Sequence, residues 1–79
     1  MATLRLFASA REAAGTDRVE LPGPTVDAVL DEARRRFGDH FSQILDHAKV
    51  WVNGEEAPPG TVVGDGDEVA VLPPVSGGA

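Results

Sequence analysis

One long amphipathic helix is the feature that most constrains how this chain can fold. Between Thr25 and Gly38 the apolar residues recur at i, i+3, i+4, i+7 and i+11, which is the stripe of a helix that packs on a core. They are Val26, Val29, Leu30, Ala33 and Phe37. Thr25 is a typical N-cap residue, and Gly38 can end a helix in a left-handed conformation. The pattern predicts one main helix over residues 26–37, and we interpret its three terminal arginines as a solvated helix end rather than a docking surface.

The segments on either side of this helix alternate between apolar and polar residues, as half-buried strands do. Strands are predicted over residues 3–9, 17–21, 49–53 and 68–72, with a tight turn at Asn53-Gly54. The positions predicted to face the core are Leu4, Leu6, Ala8, Val19, Leu21, Val50, Val52, Val69 and Val71. Residues 10–14 predict a short helical turn that stops at Gly15, and residues 39–47 predict a short helix or a structured loop.

This order of elements predicts an α+β domain over residues 1–72, a mixed sheet of four to five strands with one main helix across one face. A chain of 79 residues has room for one small core, which leaves little space for an internal active-site cavity. The sequence contains no cysteine, which excludes disulfide scaffolds, thiolate metal sites and thiol nucleophiles.

The strand pattern also predicts an uncovered sheet face that carries large apolar side chains. Phe7, Trp51 and Leu72 fall on the opposite parity from the core residues, so they are expected on the face away from the main helix. Three such residues on one face indicate a protein interface, and the alternative is that a loop covers them.

The charge balance narrows the classes of partner. The net charge of −6 argues against binding to nucleic acid and favours protein partners with basic surfaces. The sequence shows no targeting segment and no apolar run of membrane-spanning length, so we expect a soluble cytoplasmic protein. His40 and His47 are interpreted as surface histidines, because two imidazoles without a third ligand make a weak metal site. No metal is therefore expected.

The chain ends in a tail, residues 73–79, with the sequence PPVSGGA. Pro73 and Pro74 stiffen its exit from the last strand, and Gly77 and Gly78 leave bare backbone near the tip. None of the tail is expected to join the core, and the six residues 73–78 can span about 20 Å. Such a tip could thread a narrow channel, and the ordinary alternative is a frayed terminus.

Three segments resemble a known family over the whole chain. They are FASAREAAGTD at residues 7–17, VNG at 52–54 and DGDEVAVLPPVSGG at 65–78. Together they resemble the small subunit of molybdopterin synthase, one of the ubiquitin-like sulfur carriers with a β-grasp fold, a group that includes the thiamine-pathway carrier. The LPPVSGG ending is the specific part, and its Pro-Pro lead favours the molybdopterin branch.

The resemblance implies a non-catalytic sulfur donor that binds no cofactor itself. An ATP-using, ubiquitin-activating-type enzyme would adenylate the terminal glycine carboxylate and convert it to a thiocarboxylate. The tail would then enter the large synthase subunit, where its sulfur builds the dithiolene of a pyranopterin. By position, Gly78 would carry the thiocarboxylate and Gly77 would give clearance. The inserted arm would consist of Pro73, Pro74, Val75 and Ser76.

Ala79 departs from the family pattern, which ends at the second glycine. While Ala79 is present, Gly78 has an amide where the chemistry needs a free carboxylate. We expect a peptidase to remove Ala79 first, and the alternative is that Ala79 is not native.

Three functions remain open at this point. They are a sulfur carrier, a ubiquitin-like modifier that joins its terminal glycine to lysines, and a β-grasp interaction module. Within the first, the recipient pathway could also be that of cysteine, thiamine, transfer-RNA thiolation or a secondary metabolite.

Overall fold

The computed structural model describes residues 1–74, which form five strands and three helices. In chain order they are β1 (Ala2–Leu6), α1 (Ala8–Ala14), β2 (Arg18–Leu21), α2 (Val26–Phe37), α3 (Asp39–Leu45), β3 (Lys49–Val52), β4 (Glu55–Glu56) and β5 (Glu68–Leu72). The main helix α2 lies where the sequence predicts it, and the backbone N–H of Ala28 donates to the Thr25 hydroxyl at 3.2 Å, which confirms the cap.

The five strands form one mixed sheet in the order β2-β1-β5-β3-β4. β1 and β5 are parallel, and the other neighbouring pairs are antiparallel. This confirms the α+β, ubiquitin-like β-grasp prediction. Because β5 is the central strand and also the last one, the chain leaves the domain from the middle of the sheet.

One face of the sheet packs against the helices to form the core. Leu4 and Leu6 of β1 and Val69 and Val71 of β5 are at most 1% exposed. From the helices, the core receives Val26, Val29, Leu30, Ala33, Phe41 and Leu45. Val50 and Val52 are half-buried and pack at its margin. The period-two prediction therefore holds for the central strands.

The third helix, α3, packs against the C-terminal end of α2. The rings of Phe37 and Phe41 lie 5.1 Å apart between centroids. The guanidinium of Arg34 contacts the Asp46 carboxylate at 2.9 Å and donates to the Ser42 carbonyl oxygen at 3.3 Å. Arg34 thus differs from the solvated helix end that the arginine run predicts, because its side chain joins α2 to α3.

The structure differs from the sequence prediction at the end of β1. The strand stops at Leu6 and α1 begins at Ala8, so Ala8 is exposed and Ala10 takes the buried position instead. The predicted stop at Gly15 is confirmed, since that residue has φ +76° and its N–H donates to the Arg11 carbonyl oxygen at 2.9 Å.

Two further details were not predicted. The short strand β4 pairs with β3 across the Asn53-Gly54 turn. Pro73 is buried, although the sequence placed the whole tail outside the core, and Pro74 is exposed. Residues 75–79 lie outside the described residues.

Candidate functional site

The end of the sheet where β5 finishes brings together residues from three strands. Leu6 pairs with Val71 in the parallel ladder, and Lys49 pairs with Leu72 in the antiparallel ladder. The end of β1, the start of β3 and the end of β5 therefore share one edge of the domain. We call Leu72, Pro73 and Pro74 the tail exit.

The register places the predicted interface residues on one face. Arg5, Ala70 and Trp51 form a row across β1, β5 and β3. Leu72 has the same parity as Ala70, two residues along β5. Phe7 lies just beyond β1, and the Arg5 guanidinium stands 5.5 Å from the centroid of its ring, a cation–π distance that holds Phe7 on the same side. We call Phe7, Trp51 and Leu72 the open-face patch.

The open-face patch is neither buried nor fully exposed. Phe7 is 37% exposed, and Trp51 and Leu72 are half-buried. The indole N–H of Trp51 is buried and has no hydrogen-bond partner within residues 1–74. Arg5 also contacts the Glu68 carboxylate at 3.3 Å, so the patch is bordered by a partly exposed ion pair. Its role in binding a partner stays a prediction.

A groove of about 310 Å³ adjoins the tail exit on the helical side. It is lined by Ser9, His40, Gln43, Ile44, His47, Pro73 and Pro74, and we call it the exit groove. Four of these residues follow the spacing i, i+3, i+4 and i+7, one side of α3 and of the turn that follows it. Sequence reasoning missed this groove, although that spacing was a readable signal.

A polar clasp holds the start of β5, the strand that leads to the tail. The side-chain Nδ2 of Asn53 donates to the Asp67 carboxylate at 3.0 Å, and the side-chain Oδ1 of Asn53 accepts from the backbone N–H of Glu68 at 2.9 Å. The Gly64 N–H donates to the same Asp67 carboxylate at 2.9 Å. The Asn53 and Gly64 donors lower the pKa of Asp67 below its ordinary value.

A second carboxylate on this side of the sheet pairs with the N-terminus. The terminal ammonium of Met1 contacts the Asp65 carboxylate, and this hydrogen bond and charge lower the pKa of Asp65. Both groups are exposed, so the pair is open to screening by salt.

The described residues contain no group of three or more His, Cys, Asp or Glu side chains that could hold a metal ion. In the same part of the chain, no helix has both the length and the apolarity needed to cross a membrane. The predicted tail residues Val75, Ser76, Gly77, Gly78 and Ala79 lie outside the described residues. Their roles stay predictions.

Known proteins match nearly the whole chain. The model of the ThiS family matches residues 4–78. Small archaeal modifier protein 1 of Haloferax volcanii is 42% identical, covering 94% of this chain and 97% of that protein. The molybdopterin synthase sulfur carrier subunit of Haemophilus influenzae is 34% identical, and the match covers 99% of this chain and 100% of that protein. A chain in the crystal structure of the BexX/CysO complex of Amycolatopsis orientalis superposes with a TM-score of 0.82 at 26% identity, and the superposition covers 99% of this chain and 100% of that chain.

Proposed function

The chain belongs to the ThiS family of ubiquitin-like sulfur carriers, and from this premise we propose that it is the sulfur carrier subunit of a molybdopterin synthase. The observation that carries the proposal is the LPPVSGG ending, which continues directly from the central strand β5. The relative from Haemophilus influenzae, which matches the chain end to end, supports the same pathway.

The chemistry takes place at the carboxylate of Gly78 after a peptidase removes Ala79. A carboxylate is a poor electrophile, so an ATP-using, ubiquitin-activating-type partner first converts it to an acyl adenylate. A sulfide-level nucleophile from a sulfur donor then attacks the acyl carbon, the C–O bond to AMP breaks, and the product is a thiocarboxylate whose sulfur is nucleophilic. The large synthase subunit receives the tail and passes this sulfur to a pyranopterin. ATP belongs to the activating partner, and this chain contributes no catalytic group.

The folded domain contributes docking and positioning. Pro73 is buried, so the tail starts from a fixed point, and residues 75–78 can carry Gly78 at most about 14 Å from Pro74. The open-face patch lies at the same end of the sheet. A partner that binds this patch therefore meets the tail within one short reach. We propose that both partners act in the cytoplasm, with neither nucleic acid nor membrane involved.

Intact mass spectrometry tests the proposal. The chain ending at Gly78, incubated with the activating enzyme, ATP and a sulfur donor, is expected to gain the mass of a thiocarboxylate. The Gly78→Val variant is expected to form no thiocarboxylate while its thermal midpoint remains unchanged, because the sequence predicts that the tail lies outside the core. If Gly78→Val transfers sulfur normally, Gly78 does not have this role.

The same measurement tests the processing step. The chain that retains Ala79 is expected to remain uncharged until a peptidase from its own cell is added. A charged species that still contains Ala79 would contradict the peptidase proposal while leaving the carrier proposal in place.

A second function is favoured by the relative from Haloferax volcanii, whose name describes a protein modifier. In that case the activated glycine would form isopeptide bonds with lysines of other proteins. Isopeptide-linked conjugates in the native cell would support this function. The sulfur could also pass to another pathway, namely that of cysteine, thiamine, transfer-RNA thiolation or a secondary metabolite. In that case the chain would form the thiocarboxylate but would not bind a large molybdopterin synthase subunit. Full function after deletion of residues 75–79 would leave only an interaction module.

A further inference from the structure

The exit groove is fixed in place on both of its sides. On one side, α3 is anchored by its opposite face, where Phe41 and Leu45 are buried in the core. The Arg34–Asp46 contact of 2.9 Å holds the end of the same helix against α2. On the other side, Pro73 is buried directly after β5. The groove is therefore preformed, so a ligand would not have to order it first.

The lining of the exit groove is mixed in polarity. Ile44, Pro73 and Pro74 supply apolar surface. Polar groups come from Ser9, His40, Gln43 and His47, and within residues 1–74 none of these four side chains forms a hydrogen bond. A volume of about 310 Å³ is at the lower end of the range for ligand pockets. This suits one or two protein side chains better than a nucleotide.

The position of the groove limits what can occupy it during sulfur loading. Residues 75–78 number four, so the pocket that encloses Gly78 must open within about 14 Å of Pro74. Pro74 is itself part of the groove lining. An enzyme that surrounds the tail at this distance stands against the surface around Pro74. On one side of that surface is the open-face patch, and on the other is the exit groove.

We propose that the exit groove is a second docking site, and that it takes an apolar side chain from the adenylating enzyme that receives the tail. The groove supplies an apolar floor at Ile44 and hydrogen-bonding groups at its rim. This inference rests on the proposed function, because it assumes that the tail enters an adenylating enzyme.

Gln43→Trp tests the groove directly. Gln43 is an exposed helix residue, so an indole at this position is expected to fill the groove while the fold is kept. The matched control is Asp31→Trp, an exposed position on α2 that does not line the groove. Titration calorimetry with the adenylating enzyme of the same genome is expected to give about tenfold weaker binding for Gln43→Trp and wild-type binding for the control. Equal binding by both variants overturns the proposal.

Amide chemical shifts of the wild-type chain give a measurement that does not depend on a variant. On addition of the enzyme, shifts are expected at Ser9 and across residues 40–47 as well as on the open face. Shifts confined to β1, β3 and β5 overturn the proposal. If deletion of residues 75–79 moves the same groove signals without any enzyme, the chain's own tail is the occupant and the proposal is wrong.

The charging assay separates this inference from the function on which it rests. A wild-type chain that forms no thiocarboxylate with the enzyme refutes the proposed function and the docking site together. If the wild-type chain forms the thiocarboxylate, and the Gln43→Trp variant at limiting concentration of the chain forms it at the same rate, the docking site alone is refuted.

Discussion

Replacing Gly23 with alanine is expected to destabilise the fold by about 2–6 kcal/mol. The residue has φ +146°, a region that residues with a side chain rarely adopt, and this accounts for about 1–3 kcal/mol. A Cβ there would lie 2.8 Å from the backbone nitrogen of Val29 and 3.0 Å from the Ala28 carbonyl carbon. These are helix backbone atoms that cannot move aside alone, so overpacking adds about 1–3 kcal/mol.

Two other glycines provide matched controls for the two parts of this cost. Gly15 has φ +76° but open space around it, so Gly15→Ala carries the backbone strain alone, about 1–2 kcal/mol. Gly60 has open space and no positive φ, so Gly60→Ala is expected to be neutral or to stabilise by up to about 1 kcal/mol.

Urea denaturation and thermal melting of the three variants measure this order. A domain of this size has a free energy of unfolding of about 4–12 kcal/mol, and each 1 kcal/mol lost lowers the midpoint by about 4–8 °C. Gly23→Ala is therefore expected to lose about 10 °C or more and to be the least stable of the three. If Gly23→Ala and Gly60→Ala have the same melting temperature, the close approach of the Pro22-Gly23-Pro24 segment to α2 is not a constraint on the fold.

Four further changes test the surface, the clasp, the core and the second function. Phe7→Glu is expected to weaken binding to the proposed partner, the large synthase subunit, about tenfold. Val62→Glu, at a position 77% exposed and outside the patch, is expected to bind as the wild type does, and global unfolding of Phe7→Glu would place Phe7 in the core instead. The lowered pKa of Asp67 means that its contribution to stability is present above the unfolded value of 3.8 and is lost as the pH falls through the lower folded value. The urea midpoint should thus drop less on acidification in Asp67→Asn than in the wild type, and parallel curves would contradict the clasp. Leu30→Ala is expected to lower the free energy of unfolding, measured by urea denaturation, by about 2–5 kcal/mol, because this α2 side chain is only 8% exposed and faces the core. A loss below about 1 kcal/mol would contradict its core position. Lys49→Arg removes the single lysine, so isopeptide-linked polymers of this chain, if mass spectrometry finds any, should disappear; their persistence would exclude Lys49 as the acceptor.

The sequence was sufficient for the parts of the fold that depend on periodicity. The apolar positions of α2 recur over three turns and follow a capping residue, so the sequence predicted both the helix and its first residue. The parity of β1, β3 and β5 was readable because Leu4, Val50 and Val69 fix which side faces the core. That parity also placed Trp51 and Leu72 on the opposite face, which the strand register reproduces.

What the sequence could not show arises where local patterns compete or where distant segments meet. The alternation of residues 3–9 continues past the true end of β1, and burial of Ala10 in the core settles the boundary in favour of α1. The strand β4 consists of Glu55 and Glu56, which carry no apolar signal. The exit groove joins α3 to prolines that follow β5, and Pro73 is buried although no periodic pattern in the sequence marks it as a core residue.

The central position of β5 has a consequence for the order of synthesis. Arg5 and Glu68, which pair across β1 and β5, are separated by 63 positions in the chain. Contacts of such long sequence separation form late and slow folding. A nascent chain on the ribosome therefore lacks the middle of its sheet until Glu68–Leu72 have been synthesised. A product that ends before residue 68 would lack the strand that joins β1 to β3, so a prematurely terminated copy could not assemble this sheet.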